Sequence, residues 1–108
     1  MSHYLFIQSQ DPFTEVRTTA QYDLAGQLHA AGHDVSVLLV QNGVTPARQG
    51  ARSADFDQLL SVGVAVIADD FSLQQREIQA ADLKNNVAVN SLDVVVDALL
   101  AGHKVIWN

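Results

Sequence analysis

Residues 63–78, GVAVIADDFSLQQREI, constrain the fold more than any other stretch. Val64, Ala65, Val66, Ile67 and Ala68 form an unbroken apolar run with three β-branched members, which suits a strand buried on both faces. Asp69 and Asp70 follow where such a strand would emerge. Ser72 with Gln75 three residues on fits a capping box, so a helix is expected just beyond the acidic pair. An apolar strand that runs into polar residues and then a helix is the unit of α/β sheets, in which ligands gather at the carboxyl ends of the strands.

The same unit recurs along the chain. Residues 4–7, YLFI, read as a first strand that ends at Ser9 and Gln10. Asp11 and Pro12 look like an N-cap followed by Pro at the first helical position. Val16, Ala20, Leu24 and Leu28, with Ala31, then predict an apolar stripe on a helix stopped at Gly32. Residues 35–40 predict a second buried strand, interrupted only by Ser36, with Gln41, Asn42 and Gly43 as its exit turn.

Residues 46–52 read as the most mobile loop, and Ser53 is expected to cap a helix that points Phe56, Leu59 and Leu60 inward. Residues 87–89 are a brief strand running into Asn90 and Ser91. The last helix is expected to put Leu92, Val95, Val96 and Leu99 on one face and to end at Gly102, before a terminal strand over residues 104–107. The order β-α-β-α-β-α-β-α-β predicts one domain, 1–108, of α/β class, its mostly parallel sheet covered on both faces.

Composition narrows the chemistry. There is no cysteine, which closes disulfides, zinc thiolate sites, thiol nucleophiles and persulfide carriers. A formal net charge of -6 argues against nucleic acid and anionic membrane as partners. No apolar run approaches the roughly 18 residues of a membrane span, and the opening MSHYLFIQSQ lacks a basic n-region, so a cytoplasmic location is expected.

Parallel strands would bring Asp11, Gln41, Asn42, Asp69, Asp70 and Asn90 to one edge, and leave His3, His33 and His103 at the other. A metal site joining histidine and carboxylate is therefore not expected. His29 and His33 are spaced as helical metal ligands often are, yet Gly32 falls between them. The turn after the first strand, SQDPFT, has no glycine and carries Asp11, which argues against a phosphate cradle and a bound nucleotide.

An acidic pair at a strand end more often serves a turn and a helix cap than chemistry, and a weak cation or polar-ligand site is the other reading. Arg76 could anchor an anion or pair with Asp69 or Asp70. A general-base role for Asp69 would need a raised pKa. Trp107 is either a core plug or an interface anchor. A phospho-receiver domain is a poor match, because Lys104 precedes its strand instead of following it.

GVAVIADDFSLQQREI resembles the signature of the DsrE/DsrF/DsrH-like family, small α/β proteins of sulfur relay and dissimilatory sulfur oxidation that include the TusBCD proteins. In that family a GVxIxV strand ends at a cysteine, and the next helix carries an arginine seven residues later. Gly63, Val64 and Arg76 match the pattern, and Asp69 stands at the cysteine position. ADDFSLQQREI is closest in flavour to the DsrH and TusB type, and the ending VNSLDVVVDALLAGHKVIWN is similar to the end of those subunits. The opening strand, long helix and second strand are similar to the DsrE type, so the resemblance spans nearly the whole chain.

The resemblance implies a three-layer α/β/α fold with a sheet of about five strands, and homo-oligomers or hetero-oligomers with DsrE-like relatives. Without the sulfur-carrying cysteine, the expected role is a non-catalytic oligomeric or accessory subunit connected to sulfur relay or sulfur oxidation. No catalytic residue, metal or cofactor is assigned. The alternative is a small-ligand or divalent-cation site drawn from Asp11, Gln41, Asn42, Asp69, Asp70, Arg76 and Asn90 at the carboxyl edge.

Overall fold

The computed structural model describes residues 2–107. Five strands form one sheet: β1 (His3–Gln8), β2 (Asp34–Leu39), β3 (Ala65–Asp69), β4 (Val87–Asn90) and β5 (Lys104–Trp107). Their order is β4-β3-β2-β1-β5, and every neighbouring pair is parallel. The helices are α1 (Arg17–Ala30), α2 (Ala54–Ser61), α3 (Asp70–Gln75) and α4 (Asp93–Leu100). A 3₁₀ segment, Gln41–Ala47, follows β2, and a short 3₁₀ turn, Ala80–Asp82, precedes β4. The three-layer α/β/α fold expected from the sequence is the one observed.

Connection handedness distributes the layers. From β1 to β4 the chain steps in one direction across the sheet, whereas the β4-α4-β5 connection runs back past the whole sheet to pair β5 with β1. Right-handed crossovers in opposite directions lie on opposite faces. The larger core, built on Phe6, Tyr22, Val37, Phe56, Val66 and Leu73, accordingly lies under α1, α2 and α3. The smaller core of Leu5, Ile7, Leu38, Val40 and Ala98 lies under α4. The sheet's centre is β2, while β3 is second from the edge, with Ala65 exposed and Ile67 half-buried.

Several local expectations are corrected. Asp11 does not cap α1: its Oδ1 accepts the amides of Phe13 and Thr14 at 2.9 and 2.8 Å, closing a separate turn, and α1 begins only at Arg17. The inward face of α1 is Thr18, Gln21, Tyr22 and Ala25, with Leu28 half-buried, while Val16 and Leu24 are 83% and 43% exposed. This face packs Tyr22 and Ala25 into the larger core and includes a polar contact that hydrophobic spacing could not reveal: Gln8 at the end of β1 donates its Nε2 to Gln21 Oε1 at 2.7 Å.

Residues 46–52 are only partly an open loop. Pro46 and Ala47 are buried, and Arg48 bridges to Leu83. The 3₁₀ segment presses so closely on the end of β1 that a Cβ on Gly43 would overlap the carbonyl oxygen of Gln8. On α4 the inward residues are Val94, Val95 and Ala98, while Leu92, Val96 and Leu99 are exposed. Phe56 and Leu59 are buried and Leu60 half-buried, as the α2 pattern predicts.

Candidate functional site

The carboxyl ends of β3 and β4 are where the sheet's connections part. After β3 the chain enters α3, whose Leu73 belongs to the larger core, and after β4 it enters α4 on the other face. Adjacent strands that exit to opposite faces open the crevice in which α/β proteins hold ligands. Asp69 and Asn90, paired in register at the last position of these two strands, stand at that crevice.

Asp69 is buried and acts within the fold. Its Oδ2 accepts the Ser72 hydroxyl at 2.7 Å and the Ser72 amide at 3.0 Å, which makes Asp69 the N-cap of α3. Ser72 is therefore the partner of the cap rather than the cap that its spacing from Gln75 suggested. The amide of Gln41 donates to Ser72 Oγ at 2.8 Å, so a single buried hydroxyl ties the exit of β2 to the exit of β3. Gln41 is held at φ 51, in the left-handed region. The sequence signalled Ser72 as a capping residue but not this bridge, because Gln41 lies 31 positions away.

Arg76 pairs with neither Asp69 nor Asp70. Its Nη2 donates to Asn42 Oδ1 at 3.0 Å and its Nη1 to the Ser72 carbonyl at 3.2 Å, which clamps the 3₁₀ segment to the end of α3. Asp70 is exposed and accepts from Gln74 Nε2. Asn90 Oδ1 accepts the amide of Ser91, and Asp11 is spent on its own turn. Among the described residues no three histidine or carboxylate groups are arranged to hold a metal ion, so Asp11, Asp69 and Asp70 share an edge without forming a ligand set.

Beyond this edge, sequence reasoning missed a buried polar pair at the end of β1. Gln8 Oε1 accepts the Gln10 amide at 2.9 Å, which fixes Gln8 Nε2 as the donor to Gln21 and leaves Gln21 Nε2 with no partner among the described residues. The next residue, Tyr22, is buried with its hydroxyl equally unpartnered and its ring edge-on to Phe56. Burial, reinforced by the carboxylates of Asp11 and Asp55, pushes the Tyr22 phenol well above its ordinary range. The three strand-flanking histidines do sit at the opposite, amino edge: His3 stacks on His103 at 4.6 Å, and His33 meets Tyr4 edge-on at 5.4 Å.

The fold and this edge can be set beside known proteins. The DsrE/DsrF-like family matches residues 2–107. The chain belongs to that family. A solved structure of a protein of unknown function, MTH1491 from Methanobacterium thermoautotrophicum, superposes with a TM-score of 0.87 at 22% identity, each chain covered in full. The ychN protein from E. coli is as similar in fold, with a TM-score of 0.87 at 19% identity over both whole chains. A conserved protein of unknown function, BT1422 from Bacteroides thetaiotaomicron, gives 0.75 at 14% identity over 97% of this chain and 94% of its own. A comparison with the curated proteins found no significant match.

Within the DsrE/DsrF-like frame, Asp69 occupies the position at which the resemblance places a cysteine, at the end of β3 and the start of α3. A cysteine there would sit at a helix N-terminus, where a thiolate is favoured. This chain instead puts a carboxylate there and closes it onto Ser72.

Proposed function

We propose that this protein is a non-catalytic DsrE-like subunit that works by assembly, either with copies of itself or with cysteine-bearing relatives, in the context of sulfur relay or sulfur oxidation. The observation that carries the reading is α4. This helix reads DVVVDALL and is apolar all round apart from its two aspartates. Its inner residues meet the smaller core, while Leu92, Val96, Leu99 and Leu100 face outward, the last at 82% exposure. A helix that is apolar on every side is normally buried on every side, so its outer face calls for a cover. Trp107, on the edge strand β5 at 67% exposure, adds an aromatic anchor of the kind enriched in interfaces.

The absence of cysteine supports the non-catalytic half, since sulfur transfer through a persulfide needs a thiolate. A cytoplasmic location fits this role, and among the described residues no helix is long and apolar enough to cross a membrane. The rival reading, a small-ligand or divalent-cation site at the acidic edge, loses Asp69, whose carboxylate is engaged by Ser72. The test is incubation with a low-molecular-weight persulfide donor followed by intact-mass measurement. No added sulfur is expected, and a sulfur adduct passed on to an acceptor thiol would overturn the reading.

A further inference from the structure

At the amino edge of the sheet, a cleft of about 340 Å³ opens beneath the C-terminal end of α4. Its volume lies at the small end of the range occupied by ligand sites, roughly 300 to 1,000 Å³. Leu5, Val94 and Ala98 make its apolar floor, and the stacked His3 and His103 rings line it as well. Ser36, the polar residue that interrupts the apolar run of β2, lines the same cleft, and its hydroxyl makes no hydrogen bond among the described residues.

Two carboxylates and two histidines give the cleft its polar wall. Asp34 and Asp97 line it, together with neither lysine nor arginine. The Asp34 carboxylate is paired with His3 Nδ1 at 2.8 Å, while Asp97's carboxylate has no partner among the described residues. Tyr4 also lines the cleft while packing against the larger core, and Lys104 extends its ammonium over the Tyr4 ring at 5.3 Å from the centroid. Metal coordination is not what these groups are arranged for, because no three of them converge.

We propose that this cleft binds a small organic cation, an ammonium group carried on an aromatic or branched apolar body. The ammonium pairs with Asp97 and donates to the Ser36 hydroxyl, while the body lies on Leu5, Val94 and Ala98 beside the imidazole wall. The site is separate from the Asp69 edge and does not depend on the assembly role.

The test titrates ¹⁵N-labelled protein with 2-phenylethylamine, and with phenylacetate as a probe of similar body and opposite charge. The amine is expected to give saturable amide shifts at Leu5, Ser36 and Ala98 in the millimolar range or tighter, with phenylacetate at least about ten-fold weaker. Asp97→Asn, at an exposed position, is expected to weaken the amine about ten-fold, and Ala101→Phe, which fills the mouth of the cleft, to abolish saturation. Unsaturable shifts, equal binding of phenylacetate, or amine binding unchanged in both variants would overturn the proposal.

Discussion

Asp69 Oδ2 and Ser72 Oγ lie 2.7 Å apart, and the same carboxylate oxygen holds the Ser72 amide at 3.0 Å. The position that the family pattern gives to a sulfur carrier is here a helix cap, and its contribution should be read in stability. Asp69→Ala is expected to lose about 1–2 kcal/mol in urea unfolding, since it removes a cap and leaves a buried hydroxyl short of its acceptor. Asp69→Asn keeps an acceptor oxygen and is expected to lose less. Equal stability of all three proteins would show that the contact does nothing for the fold.

Gly43 is fixed by Gln8. Any side chain on Gly43 would run into the Gln8 carbonyl, which already accepts the Val40 amide. Gly43→Ala is expected to destabilise by about 2–3 kcal/mol through forced displacement of a buried backbone. Thermal unfolding with an unshifted midpoint would contradict the close approach.

Tyr22 gives the pH dependence. Its phenol is raised in the folded protein, so the neutral form is favoured there relative to the unfolded chain, which ionises near pH 10. The associated stability is complete below about pH 10 and is lost as pH rises beyond it. Tyr22→Phe also removes an unpartnered buried hydroxyl, and is expected to be about 1 kcal/mol more stable at pH 7 and to lose less stability on the alkaline side. Urea unfolding at pH 7 and at alkaline pH checks both statements, and a destabilised Tyr22→Phe would reveal a partner for the hydroxyl.

The sheet was legible because its strands are apolar runs: β1, β2 and β3 carry the buried residues that a parallel sheet requires, and the edge strands β4 and β5, exposed or half-buried along their length, keep the same apolar character. Helix faces were not legible on α1 and α4, for two different reasons. On α1 the stripe of Val16, Ala20 and Leu24 is outward because the buried face is a mixed one, Thr18, Gln21, Tyr22 and Ala25, and the Gln8–Gln21 contact within it joins glutamines 13 positions apart that carry no pattern. On α4 there are two apolar faces, so spacing could not say which one meets the sheet. At the site, the strand-end location of Asp69 and Asn90 followed from topology, whereas the partners of Asp69 and Arg76 depend on how the 3₁₀ segment folds back, which only the three-dimensional structure supplies.

The outward face of α4, with Val96 and Leu100 exposed, is the surface on which the proposed assembly depends. Native mass spectrometry of the purified protein compares the intact assembly with the 11.7 kDa subunit. A defined multiple of that mass is expected at micromolar concentration, or a monomer that joins a defined complex when a cysteine-bearing DsrE-like relative is added, and in either case Val96→Asp with Leu100→Asp breaks it. A monomer that joins neither, or an assembly indifferent to both substitutions, would contradict the assembly role.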